Sequence, residues 1–266
     1  MNNVSLISAI LSVTGAVATA ILGGVFEWRR RRSDREQARR DLVSRYRDPL
    51  LQSAALLASR LRNAIDFFSG EPVHQAAPGT KRQDEYNRYE SLYRLSAYLG
   101  WVEILHREAH FLDLGSRSRN RRLMRRLGNV KGAMSGHAEE SGADLFLLLG
   151  GEQQAIGEMM IDLGSPDRQR CLGYVAFRRK YRDDPEFAEW FSPLLEEIDS
   201  LINNPQQAAI RLATVHNALV DLIVFLDPRK VWVLGPHKKF ERKTLPESSP
   251  EHQAAEVAEV AAKSDD

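Results

Sequence analysis

The chain has 266 residues, 27% of them charged, with 37 Lys and Arg against 36 Asp and Glu. Near-neutrality argues against a globally basic nucleic-acid binder, and the single cysteine, Cys171, excludes an intramolecular disulfide or a Cys-based zinc cluster within one chain.

The first element is an uncharged run, Val4 to Phe26, closed by Arg29, Arg30, Arg31 and Arg32. At 1.5 Å rise per residue, about 23 apolar or small residues span the hydrocarbon of a bilayer with some tilt. A cleavable signal peptide has a shorter apolar core behind a basic start, and Met1 to Val4 carries no Lys or Arg. A retained transmembrane anchor over residues 1–28 is therefore expected. The arginines orient it with the N-terminus outside and the remainder in the cytoplasm, at the cell (inner) membrane. Ser8, Ser12, Ala16, Ala20 and Gly24 recur every fourth residue and share one helical face. Small residues let helix backbones approach closely in lipid, so this face predicts a homo-oligomer.

Residues 29–47 read as a basic juxtamembrane helix, with nine arginines suited to an anionic leaflet of the membrane lipid bilayer. Asp48-Pro49 reads as a cap and first helical position, opening a helical bundle domain over 48–235. Leu50, Ala54, Leu57, Leu61, Ile65 and Phe68 form its first apolar stripe. A second, longer helix is predicted over Asp84 to Leu112, with Tyr86, Tyr89, Tyr93, Leu95, Tyr98 and Leu105 on its buried side and Gly115 as its stop. Arg117 to Arg126 leads into a third helix ending near Gly136. Leu145–Leu149 fits a strand or a buried helix equally, and Gly150-Gly151 separates it from a helix over Glu152–Ile161. Asp184-Pro185 opens another helix, which Pro193 should kink or restart. Asn204-Pro205 opens the last, which Asp227-Pro228 closes. Residues 236–266 lose nearly all large apolar side chains and read as a disordered tail. Cys171, beside Leu172, Tyr174 and Val175, reads as a small buried apolar residue. The fold class is all-α: an N-terminal transmembrane helix followed by a cytoplasmic helical bundle.

Three constellations could carry chemistry. Glu103, His106 and His110, with Asp113 beyond them, share one face at helical spacing and have metal-ligand character. The pairing with a second Glu-x-x-His helix that di-iron bundles need is missing, and so is the His-Glu-x-x-His order of zinc proteases. A solvated polar face is the simpler account. Arg117, Arg121, Arg122 and Arg125, among six arginines between Arg117 and Arg126, suit phosphate groups. An ordinary solvated helix face is the simplest account; with no aromatic interleaved to stack bases, the ligands otherwise expected are lipid headgroups or an acidic partner, and nucleic acid is not. Gly150 to Glu158 lacks the Gly-Lys-Ser/Thr ending of a phosphate loop, and Gly157 there reads as a site of close helix packing. No cofactor is expected.

The words Tyr46-Arg47-Asp48-Pro49-Leu50-Leu51, Tyr98-Leu99-Gly100-Trp101-Val102-Glu103-Ile104-Leu105 and Gly151-Glu152-Gln153-Gln154-Ala155-Ile156-Gly157-Glu158 resemble an uncharacterised family of bacterial single-pass membrane proteins with a cytoplasmic helical domain. The resemblance runs from about Arg45 to Pro228. It implies a bacterial origin and one domain over that span, and carries no activity. The leading expectation is a membrane-anchored interaction or regulatory protein with an unidentified protein partner. The alternatives are a metal-dependent enzyme using the Glu103/His106/His110 face and an oligomerising membrane effector.

Overall fold

The computed structural model describes residues 3–68, 80–108, 117–136, 147–164, 169–203, 205–233, 235 and 238–241; within these, side chains are not described at 3–23, 25, 31, 35–36, 38–43, 67–68, 201–203 and 205–208. Helix accounts for 82% of the interpretable residues, so the chain is all-α as expected.

The elements in chain order are α1 (Asn3–Phe68), α2 (Lys81–Arg107), α3 (Arg117–Ser135), α4 (Gly150–Met159), β1 (Ile161–Asp162), β2 (Arg170–Cys171), α5 (Tyr174–Asp183), α6 (Pro185–Asn203) and α7 (Pro205–Leu226). The C-terminal part of α1 packs against α2 and α7; α7 also packs on α3, and α2 on α4 and α6. The apolar stripe of α1 is buried as its spacing predicts, with Leu50, Ala54, Leu57, Leu61 and Ile65 all inside the core. Tyr98, Leu105, Phe187, Phe191, Leu219 and Leu222 meet them from the other helices.

The α3 and α7 helices run antiparallel. Arg119 lies over the Phe225 ring, Arg126 bonds Asp221 at 3.1 Å, and the Arg211 guanidinium donates to the Gly136 carbonyl beyond the end of α3. The close approach of α2 and α4 depends on glycine. A Cβ at Gly157 would sit 2.9 Å from the Leu99 carbonyl oxygen and 3.0 Å from the Glu103 Cβ, so the packing role read for Gly157 holds. Gly100 meets Met160 and Cys171 in the same way, at 2.8 and 2.9 Å.

Several boundaries differ from expectation. Residue 49 does not open a new helix: α1 is unbroken from Asn3 to Phe68 with Pro49 inside it. A proline there forfeits one backbone bond, to the Arg45 carbonyl, and burial of Tyr46, Leu50 and Leu51 around it offsets that loss. Pro193 likewise lies inside a continuous α6. The α2 helix stops at Arg107, capped by Glu108, whose backbone N–H reaches the Ile104 carbonyl; Leu112 and Gly115 lie outside the described residues. The α4 helix begins at Gly150, not Glu152, and the Leu149 N–H donates to the Glu152 carboxylate at 2.7 Å. A two-residue antiparallel ladder, Ile161 to Cys171 and Asp162 to Arg170, and the short helix α5 have no counterpart in the sequence reading. Tyr86 is exposed rather than buried.

Cys171 is half-buried. Its Sγ lies 3.8 Å from the Ala97 carbonyl, and burial pushes the thiol up to about 12. It is a packing residue with no thiolate at neutral pH.

The tail departs from expectation at its start. Within 236–266, residues 238–241 are described, and they form an extended segment docked across α1 and α7. Asn217 clamps Phe240 from both sides of the peptide: its Nδ2 donates to the Phe240 carbonyl at 3.0 Å and its Oδ1 accepts the Phe240 N–H at 2.9 Å. The Phe240 ring packs edge-on against His216 at 4.9 Å, with the Arg62 guanidinium 4.5 Å from its centroid. Arg62 also donates to the Lys238 carbonyl, and Lys239 pairs with Asp221 at 2.7 Å.

Candidate functional site

Four regions bear on function. In the first, α1 carries the apolar segment and the basic stretch after it on one continuous helical backbone. The side chains of Ser8, Ser12, Ala16, Ala20 and Arg31 lie outside the described residues. Gly24 is exposed, with nothing within 4 Å of a Cβ built there. Phe26 and Trp28 are 70% and 60% exposed, and Arg29, Arg30 and Arg32 are exposed beside them. Arg32 lies 5.4 Å from the Trp28 ring centroid. Large aromatics next to cations at the end of an apolar run match the composition of a membrane–water interface. Tyr46 is the first buried side chain among the described residues of α1.

The second region is a cleft of about 260 Å³ between α2, α3 and α4. Tyr98, Leu99, Val102 and Leu127 supply its apolar wall, and Glu103, His106, Lys131 and Gln153 its polar edge. Glu103 and His106 thus do share a site, one helical turn apart. The Glu103 carboxylate is engaged by Arg107 at 2.8 Å, and Arg107 also reaches Glu158 of α4 at 3.5 Å. A metal ion here would have to displace that guanidinium. His110 and Asp113 lie outside the described residues, and among the described residues no three His, Cys, Asp or Glu side chains converge. Gln153 is buried and donates to the Lys131 and Leu148 carbonyls at 3.1 and 2.8 Å, so it ties α3 to α4 as a structural group.

The third region is α3. Leu123, Leu127, Val130 and Met134 make its buried stripe. Arg117, Arg121, Arg122 and Arg125 are exposed. Arg117, Arg121 and Arg125 stand four residues apart and form one row. No Asp or Glu occurs in the helix. Of its arginines, Arg126 has a carboxylate partner in Asp221. None of the four exposed ones is ion-paired among the described residues. Like charges one turn apart destabilise a helix by about 0.2–0.5 kcal/mol per pair, so this face gains from any anion laid across it.

The fourth region escaped the sequence reading. A shallow cleft of about 660 Å³ lies where α5 crosses α2, lined by Glu85, Tyr89, Tyr174, Arg178 and Tyr181. The Arg178 guanidinium stacks 3.5 Å over the Tyr89 ring and pairs with Glu85 at 3.3 Å. Tyr93 donates to the Leu172 carbonyl at 3.2 Å, and burial raises its phenol. Phe177 fills the floor against Phe187 and Phe191. The cluster is an aromatic seam in which Arg178 is already partnered by Glu85 and Arg182 by Asp183. Its one advance signal was the aromatic spacing of Tyr174, Phe177 and Tyr181.

Among the described residues, the helix apolar and long enough to cross a membrane by composition is Ala209–Leu226, and 61% of that window is buried inside the bundle. Comparison with known protein families, characterised proteins and solved structures finds no significant match.

Proposed function

We propose that the chain is a membrane-anchored helical interaction or regulatory protein. In this reading residues 4–26 cross the inner membrane with the N-terminus outside, Arg29, Arg30, Arg31 and Arg32 rest on the anionic inner leaflet, and the bundle works in the cytoplasm as an adaptor for a protein partner. The resemblance to bacterial single-pass proteins belongs to the same proposal. The observation that carries it is the unbroken helix from Asn3 to Phe68. The apolar segment and the bundle core share one rod, without the Gly- or Pro-rich linker that would uncouple them. From Arg32 to Tyr46 the rod extends about 21 Å at 1.5 Å per residue. Exposed Phe26 and Trp28 beside the arginines add support from interfacial chemistry. Self-association through Ser8, Ser12, Ala16, Ala20 and Gly24 would set the separation of two bundles through the same rod.

Alkaline extraction of membranes tests the anchor. The full chain should stay in the pellet and a chain lacking residues 4–26 should be released; release of both overturns the reading. Protease added to sealed inverted vesicles should digest the bundle, and protection of the bundle would overturn the orientation. Mass spectrometry of chemically cross-linked native membranes tests the adaptor role, for which a stoichiometric second protein is expected.

A further inference from the structure

The cleft where α5 crosses α2 joins ring faces to cations and plays no part in anchoring. Its volume, about 660 Å³, falls in the range of roughly 300–1,000 Å³ that small ligands occupy. Tyr174, Arg178, Tyr181 and Arg182 line it from one face of α5, since their spacings are three and four residues; Arg179 stands beside them. The walls are held from behind. Tyr89 meets Tyr181 edge-on at 5.6 Å and Tyr93 meets Tyr174 at 5.2 Å, while Arg88 ties α2 to α6 through two hydrogen bonds to Asp199. A site ordered before its ligand arrives loses little entropy on binding. Arg178 is the distinctive group. Tyr89 covers one face of its guanidinium at 3.5 Å and Glu85 fixes its edge at 3.3 Å, yet the side chain is still 32% exposed. The other face of that plane is what a ligand in the cleft meets.

We propose that this cleft binds a mononucleotide, with the base stacked on the Arg178 guanidinium and the phosphate held by Arg179 and Arg182. Arg179 forms no ion pair among the described residues. Arg182 is paired with Asp183, but both side chains are largely exposed, at 76% and 54%. Such a surface pair contributes little, so a phosphate dianion taking charge-assisted bonds from two guanidinium groups displaces it. Arg182 stands one helical turn from Arg178, about 5–6 Å between Cβ atoms, a gap that one ribose bridges. Inorganic phosphate leaves the stacking plane unused, and a nucleoside leaves the cations unused. Stacking a base and bonding its phosphate to a cation each add about tenfold in affinity, so the joined ligand is the one that suits the whole cleft. The near-neutral net charge of the chain does not oppose this, because a mononucleotide needs local cations and no global basic field. The bound nucleotide links α5 to α2 and gives the bundle a small-molecule input that is independent of the anchor.

Magnetic resonance titrations of the full-length chain in detergent test this, observing the protons and phosphorus of AMP, adenosine and inorganic phosphate in turn. AMP should bind about tenfold tighter than either fragment, with magnetisation transferred from the protein most strongly to the base protons. Arg179→Gln, at an exposed position, should weaken AMP about tenfold and leave adenosine unchanged. Arg178→Lys keeps the charge beside Glu85 and removes the plane, so it should weaken AMP and adenosine alike and leave phosphate unchanged. Arg121→Gln on α3 should change none of the three. AMP binding no tighter than phosphate overturns the proposal, as does a loss in Arg121→Gln equal to that in Arg179→Gln. Equal affinity for O-phosphotyrosine also overturns it, since the cleft would then accept any aromatic phosphate.

Discussion

The two most apolar stretches of the chain, residues 4–26 and Ala209–Leu226, look alike by hydropathy and differ in their polar residues. The first contains no ionisable side chain and breaks its apolar run with Ser, Thr and Gly alone. The second carries Arg211, His216, Asn217 and Asp221, and each has a place in the bundle. Arg211 reaches the Gly136 carbonyl, Asn217 clamps Phe240, and Asp221 bridges Arg126 and Lys239. Polar groups in a helix otherwise mostly of Ala, Leu, Val and Ile need partners that a bilayer does not supply. Length and mean hydropathy do not separate a core helix from a membrane helix; where the polar side chains find hydrogen bonds does.

The comparison can be broken most forcefully from the α7 side. Leu219 is fully buried, and Leu219→Ala should cost about 2–5 kcal/mol, read as a lowered denaturant midpoint of the bundle. A fall below about 1 kcal/mol would mean that α7 is not the core helix it looks to be. On the other side, Ala16→Arg places a cation near the middle of residues 4–26, at about 2.5–3.5 kcal/mol against insertion. The protein should then shift from the membrane pellet to the supernatant with its bundle intact; unchanged partitioning would disprove the anchor.

Acid sharpens the same contrast. Burial, with Arg62 nearby adding to it, holds His216 down to about 4, against 6.5 for the free side chain. The unfolded chain therefore binds the proton first as pH falls. Stability is full above about pH 6.5 and declines toward pH 4, by about 2–3 kcal/mol. A His216→Phe chain should lose less over that window, and parallel pH profiles for the two would count against the assignment. The smallest effect is expected at the α2–α4 contact. Gly157→Ala forces a methyl within 2.9 Å of the Leu99 carbonyl and should cost about 1–2 kcal/mol through a shift of α4. Thermal melting reads it, and an unchanged midpoint would show that the two helices can separate freely.

Much of the helix content was legible in advance because 3.6-residue periodicity needs only local spacing. The stripe Leu50–Ile65 is an example, since amphipathic spacing and burial coincide there. The misjudged positions have a common cause. Pro49 and Pro193 are helix breakers by local rule, yet both sit inside continuous helices, because one lost backbone bond is small beside the apolar surface buried around them. The β1–β2 ladder pairs residues eight and ten apart, and α5 is too short to declare itself by period. Of the candidate site residues, Glu103 and His106 were placed together by helical spacing alone, whereas the Arg107 bond that occupies Glu103 came from the rotamers chosen in the folded chain.

By itself, the sequence determined the all-α class, the uncharged segment with its arginine stop, and the charge imbalance of α3, because composition and short-range period carry those properties. Tertiary structure decided that α7 is a core helix, that Asp221 and Asn217 tie residues 238–241 to the bundle, and that the arginine row of α3 stands open. Those depend on contacts between residues as far apart as Arg62 and Phe240, and no local pattern encodes which distant partner a buried polar group will find.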